Sequence, residues 1–241
     1  MNYGIQLYSL RDAAQQDLKG ALEAVAAMGY RSVEFAGFFG HSADEVRGWL
    51  QADSLLVNGT HTGWQELTEE ALPATIAYHK ALGNRRIIIP GGDFSTKEKL
   101  DAFIELVNRV QPVLENEGIA LGYHNHWAEF EPNLDGQFIH AELEHRTRLL
   151  FEIDTFWAWR AGQDPVALLD RLADRVPVIH LKDGLRNGEG RPLGAGEAPL
   201  AAVHAAAAAH GMDMVVESET QTPDGPTEAR VCMDWLNALN V

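Results

Sequence analysis

Eight short apolar runs, each followed by a stretch with helical character, recur about every 30 residues along this chain. No other feature limits its fold so tightly. The runs are 3–10, 32–36, 54–60, 86–89, 119–121, 149–153, 176–179 and 212–216. Helices are expected at 17–28, 42–50, 68–82, 95–117, 138–145, from 164 onward, 200–210 and 227–239. Asp17, Ser42 and Ser95 stand where caps belong, Gly29 where a helix stops, and Asp164-Pro165 where one opens. Strict alternation makes the strands parallel, joined by right-handed crossovers. Eight such units predict an α/β chain closed into a (β/α)8 TIM barrel, a fold of typically ~250 residues. The 241 residues accommodate it as a single domain over residues 1–241, and 46% hydrophobic residues suffice to fill its core. A doubly wound open sheet is the alternative. Against it, the first strand–helix turn has no GxGxxG, and ligand-type residues end strands all along the chain instead of gathering at one switch point.

Those strand ends carry the chemistry. The fifth run leads into Gly122-Tyr123-His124-Asn125-His126-Trp127-Ala128-Glu129-Phe130. His124 and His126 are two residues apart and share a face of an extended chain, with Glu129 just beyond. The sixth run ends at Asp154, the seventh at His180 and the eighth at Glu217. In a barrel the carboxyl ends of all strands open into one bowl. That bowl is expected to hold Glu34, His61, His124, His126, Asp154, His180 and Glu217. Imidazoles and carboxylates without thiolate suit one divalent ion of the Mn, Co, Zn, Ni or Mg type. A single histidine near a strand end is more often a hydrogen-bonded structural residue. Candidates at the ends of strands five to eight together make the metal site the better reading.

Around this set stand further candidates. Lys182 lies two residues past His180 and is expected on the same side, where it could hold a substrate oxygen, act as an acid or simply form an ion pair. Arg191, in the polar, glycine-rich loop 183–196, is either an anion ligand or a solvated loop residue. Trp64, Trp127, Trp157 and Trp159 follow strand ends, and indole faces pack on sugar rings as readily as on loops. A formal net charge of −16 argues against a nucleic-acid partner. It also weighs against reading the string His124-Asn125-His126 as the HNH mark of a nuclease. No apolar run approaches the roughly 20 residues that span a bilayer, so no membrane partner is expected. The single cysteine, Cys232, excludes an internal disulfide and a cysteine-based zinc site. The first residues lack a basic region followed by an apolar one, and the economical expectation is a cytoplasmic protein.

The segments GIQLYSLRD, SVEFAGFFG, GYHNHWAEF, FEIDTFWAWRAGQDP, VIHLKD, PLGAGEAPL and VVESET together resemble the xylose isomerase-like TIM barrel superfamily, often labelled sugar phosphate isomerase/epimerase. The resemblance covers nearly the whole chain. It implies the (β/α)8 fold, one divalent ion in the barrel mouth, and a polyol or ketose substrate. Ketose 3-epimerases of this superfamily hold the ion with Glu, Asp, His and Glu on strands five to eight. Asp154, His180 and Glu217 match the last three, and His124 stands in place of the first glutamate. The two glutamates of those epimerases also serve as bases, so His124 departs from a two-glutamate epimerisation. The YHNH form is similar to the inosose dehydratase-like branch, and His126 matches an active-site histidine of dehydratase relatives. Glu129 is close enough in sequence to be a base or a substitute ligand for His124.

The resemblance thus implies His124, Asp154, His180 and Glu217 as metal ligands. Glu129, His126, Lys182 and Glu217 are the catalytic candidates, and Glu34, His61, Trp127, Trp157 and Arg191 the substrate contacts. The expected activity is isomerisation or epimerisation by enolising a keto sugar or aldose. The alternatives are a dehydratase or lyase for inosose-like or 3-keto sugars, and a non-catalytic sugar-binding barrel. Endonuclease IV shares the superfamily, but its DNA-binding face conflicts with the acidity. Trimmed loops leave the mouth open, which leaves room for a homo-oligomer whose neighbouring subunit covers it.

Overall fold

The computed structural model describes residues 2–239. Eight parallel strands close into a barrel. They are β1 (Tyr3–Gln6), β2 (Ser32–Phe35), β3 (Leu56–His61), β4 (Arg86–Ile89), β5 (Ala120–His124), β6 (Leu150–Asp154), β7 (Val178–Leu181) and β8 (Asp213–Val216). Each pairs with its neighbours in sequence, and β8 closes on β1 with Tyr3 opposite Met214 and Ile5 opposite Val216. The expected (β/α)8 barrel is therefore the observed one. Among the described residues no helix is long and apolar enough to cross a membrane.

Alternation along each strand separates two interiors. Ile5, Phe35, Ile87, Phe151, Ile179 and Val216 face the surrounding helices and belong to one large apolar core. Inside the barrel the buried apolar side chains Ile88, Val178 and Val215 form a separate small cluster. Towards the carboxyl ends of the strands the remaining inward positions are polar: Gln6, Glu34, His124, Glu152, Asp154 and His180 are all 0–2% exposed. A register shift between β2 and β3 sets Glu34 opposite Gly59. A Cβ at residue 59 would lie 3.2 Å from Glu34 Oε2, so the glycine leaves room for the carboxylate.

Local chemistry explains where the elements differ from expectation. The first run is a strand only to Gln6, whose side chain accepts from the Tyr8 amide and turns Leu7–Leu10 into a 3-10 helix. Ser95 bonds to Asp93, leaving Thr96 to cap the helix Lys97–Asn116. The helix after β3 starts at Leu72, with Pro73 in its first turn, because Trp64–Leu67 forms a separate 3-10 turn. An additional helix, Thr155–Arg160, follows β6 directly, capped by Asp154. The helices Leu18–Met28, Ala43–Ala52 and Leu200–His210 keep their expected places, the second with a full capping box.

His79 is buried on the helix Leu72–Leu82, and Asn84 Nδ2 stands 3.1 Å from its Nδ1, a contact suited to a neutral imidazole accepting a hydrogen bond. Burial holds its pKa down to about 4. The unfolded chain therefore binds the extra proton first, and stability falls as pH drops from the ordinary histidine value towards 4. Between pH 7 and pH 5 the wild type is expected to lose about 2 kcal/mol more than a His79→Gln variant in urea unfolding. Equal losses would show that this histidine is not held neutral.

Candidate active site and metal centre

At the carboxyl end of the barrel, one donor atom each from His124, Asp154, His180 and Glu217 lies within 4.8 Å of the others. They come from the ends of β5, β6 and β7 and from the residue after β8, so barrel closure alone gathers them. Each is held by its own chain segment. Asn125 clamps β5 to β6, its Oδ1 accepting from the Asp154 amide at 3.1 Å and its Nδ2 donating to the Asp154 carbonyl at 3.2 Å. Asp154 Oδ1 accepts from the Trp157 amide at 2.9 Å as it caps the new helix. Its Oδ2 has no hydrogen-bond partner. Thr155 Oγ1 donates to the His180 carbonyl at 2.9 Å. The segment after β8 is fixed by Ser9 Oγ, which accepts from Ser218 N, and by Glu228, which accepts from Ser218, Thr220 and Gln221.

The donor set fits a divalent ion. His124 Nδ1, Asp154 Oδ2 and His180 Nδ1 are all buried without a hydrogen-bond partner, although buried polar atoms are normally paired. Two imidazoles and two carboxylates form the mixed nitrogen and oxygen shell that first-row divalent ions accept. Electrostatics divide the set: without an ion, Glu152, Glu217 and Glu34 outweigh burial and raise the His180 pKa well above its usual value, so an ion there must displace a proton. Burial, reinforced by Glu217, pushes the Asp154 carboxyl up to about 7 against the pull of Lys182 and His180. Burial lowers the His124 pKa well below its usual value, leaving the neutral imidazole that coordination requires.

Lys182 is the cation that faces this set. Its side chain is 2% exposed. Nζ donates to Glu217 Oε2 at 2.8 Å and to Glu219 Oε2 at 2.5 Å, and stands 3.8 Å from Asp154 Oδ2. Burial works against its charge, but Glu217, Asp154 and Glu219 together raise its pKa. The loop after it is folded around Asp183, whose carboxylate accepts from the amides of Gly184, Gly194, Gly196 and Ala198.

Above the donors is a cavity of about 380 Å³ lined by Tyr8, Ala36, His61, Pro90, His124, His126, Glu217 and Glu219. Trp127 and Trp157 form an adjacent aromatic wall, their rings 5.0 Å apart, with His126 6.2 Å from Trp157 and Lys182 Nζ 4.8 Å over the Trp157 ring. A hollow of similar size at the opposite end of the barrel is lined by Arg86 and Asp213, which pair with each other at 3.2 Å.

Three expected participants lie elsewhere. Glu129 is buried with both oxygens committed, Oε1 accepting from Tyr123 Oη at 2.6 Å and Oε2 from the His126 amide at 2.8 Å. It braces the loop that carries His126. Arg191 Nη1 is paired with Glu189 at 2.6 Å on the small ribbon after β7. Glu34 points inward below the mouth and is tied to His61 at 3.0 Å, whereas His61 itself also lines the cavity. Two carboxylates in this region are not singled out by the sequence reasoning above. Glu152 and Glu219 each lie two residues from a recognised site residue, and strand alternation was the signal that pointed to them.

The xylose isomerase-like TIM barrel family model matches residues 22–239. No curated protein matches the sequence. Among solved structures, a sugar phosphate isomerase/epimerase from Parabacteroides distasonis ATCC 8503 is 24% identical with a TM-score of 0.84, over 98% of this chain and 97% of that one. D-allulose 3-epimerase from Methylomonas sp., in complex with D-allulose, is 15% identical with a TM-score of 0.71, over 99% and 96%. The probable 3-DHS dehydratase AsbF from Bacillus anthracis is 11% identical with a TM-score of 0.78, over 98% and 99%. At these identities the likeness is one of fold.

Lys182→Met removes the cation that faces three carboxylates. In chelator-treated protein it is expected to cost about 3–5 kcal/mol, the usual loss when a buried pair is broken. Added Mn²⁺ should recover part of that cost. Denaturant midpoints with EDTA and with Mn²⁺ measure both, and an unchanged midpoint in EDTA would contradict the assigned pairing.

Proposed function

This chain belongs to the xylose isomerase-like TIM barrel family, and on that premise we propose that it is a divalent-metal-dependent enzyme enolising a keto sugar or aldose to isomerise or epimerise it. The observation that carries the reading is the convergence of His124, Asp154, His180 and Glu217, three of them with unpartnered atoms, beneath a sugar-sized cavity. These four residues would hold the ion. When bound, a divalent ion supplies Lewis-acid polarisation of a carbonyl and its neighbouring hydroxyl.

The remaining work falls to side chains of this chain. Glu217 and His126 both line the cavity and are the groups available to take a proton from the carbon next to the carbonyl. Returning that proton to the other face gives an epimer, and returning it to the neighbouring carbon gives an isomer. Lys182 Nζ, between Glu217 and Glu219, is placed to donate a hydrogen bond to a substrate oxygen. Trp127 and Trp157 offer apolar surface to a sugar ring and help to exclude water. The sugar isomerases and epimerases among the similar folds support this reading.

A dehydratase is the second reading. It is favoured by His124 standing where a strand-five carboxylate would be a second base, and by Lys182 as a buried cation able to hydrogen-bond a leaving hydroxyl. The similar fold of the probable 3-DHS dehydratase is consistent with it.

Proton NMR of keto sugars incubated with the enzyme and Mn²⁺ in D₂O is the test. Exchange at a carbon-bound proton is expected, with a new epimer or isomer and no new ultraviolet absorbance. Asp154→Asn should slow exchange by about 10³-fold, the scale on which such polarising groups act, and lower the bound metal. An absorbing product would favour the dehydratase. Exchange unchanged in Asp154→Asn would end the metal-dependent reading.

A further inference from the structure

Below the mouth, the barrel interior holds a second donor set that the proposed reaction does not use. His61 Nε2 lies 3.0 Å from Glu34 Oε1 and 2.8 Å from Glu152 Oε2. His180 Nε2 lies 2.9 Å and 3.2 Å from the same two oxygens. Two imidazole nitrogens and two carboxylate oxygens therefore alternate around a closed ring; His124 Nδ1, which belongs to the mouth set, lies 3.3 Å from Glu152 Oε2. One donor atom each from His61, His124, Glu152 and His180 lies within 4.8 Å of the others.

Hydrogen bonds alone leave this ring under-satisfied. His61 Nε2 to Glu152 Oε2 and His180 Nε2 to Glu34 Oε1 use one proton each, and Gln6 Nε2 also donates to Glu34 Oε1 at 2.6 Å, which leaves the two remaining N···O approaches, 3.0 and 3.2 Å, without a proton. Glu34 Oε2 and Glu152 Oε1 are buried with no partner at all. Both glutamates are 0% exposed, where a carboxylate pair needs a matching positive charge; without an ion the two imidazoles take that role, since against the cost of burial the glutamates hold the His61 pKa up at about 9 and that of His180 well above its usual value. Donors bound about 2.0–2.2 Å from an ion stand roughly 2.8–3.5 Å from each other, the spacing seen here. The approach is open: His61, 10% exposed at its side chain, lines both the ring and the mouth cavity.

We propose that Glu34, His61, Glu152 and His180 form a second divalent-cation site inside the barrel, beneath the mouth centre. The donor set of nitrogen and oxygen selects a zinc- or cobalt-type ion over calcium. His180 links the two centres, Nδ1 facing the mouth and Nε2 the deeper ring; with both ions bound it would have given up both ring protons as a bridging imidazolate, and this is the one point at which this inference rests on the proposed mouth site. An ion in the ring would hold the His180 imidazole in place for the reactive centre above it.

Equilibrium dialysis of chelator-stripped protein against Co²⁺ tests the proposal, with circular dichroism to verify the fold of each variant. Wild type is expected to bind two equivalents. Glu152→Gln and, independently, Glu34→Gln should each bind one, and Asp154→Asn should also bind one by losing the mouth ion. A single equivalent that survives both glutamine variants and disappears in Asp154→Asn would overturn the deep site and leave the mouth site standing. A single equivalent with the opposite pattern would support the deep site and overturn the mouth. No binding in folded wild type would overturn both.

Discussion

The imidazole of His180 is held from both sides, and much of the barrel interior follows from that. Its Nε2 lies between Glu34 and Glu152, and its Nδ1 lies 3.4 Å from Glu217. All four residues are 0–4% exposed. Carboxylates so deeply buried cost several kcal/mol each unless compensated, so their positions are coupled. A shift of β2, β6, β7 or β8 along its neighbours would strand a charge. The polar interior therefore acts on strand register, which the apolar cluster of Ile88, Val178 and Val215 could specify only loosely.

On this base the mouth is assembled by backbone clamps. Asn125 ties the end of β5 to that of β6, Asp183 gathers four amides of the loop after β7, and Glu228 reaches from the last helix to the segment after β8. Each clamp is a side chain adjacent to a site residue or packed against the segment that bears one. Asp154 has two tasks that divide its carboxylate: one oxygen caps a helix and the other faces the donor cluster. This division explains how a residue at a strand end can be both rigid and available for chemistry.

The sequence reading reached as far as face and chain direction decide, and stopped where a particular hydrogen-bond partner decides. Strand ends at Asp154, His180 and Glu217 were legible because alternation of period two assigns a face to each residue, and parallel closure brings equivalent ends together. Glu152 was equally available to that logic, but a lone glutamate inside an apolar run reads as an edge or solvent residue until the ring of partners around it is known. Glu129 illustrates the opposite error. Its proximity to two histidines suggested chemistry, yet the hydroxyl of Tyr123 and the amide of His126 occupy both its oxygens. Arg191 has a partner two residues away, in a ribbon that loop composition did not announce.

By itself, then, the sequence determined the eight-fold alternation, the parallel barrel and the strand ends that meet at one mouth, because these depend on hydrophobic period, caps and chain direction. Tertiary structure alone decided which of the polar residues face one another. Glu34 and His180 are 146 positions apart, and only barrel closure with its particular stagger sets their side chains 2.9 Å from each other. Hydrogen-bond and coordination geometry is decided over tenths of an ångström, whereas periodicity assigns a residue only to a face.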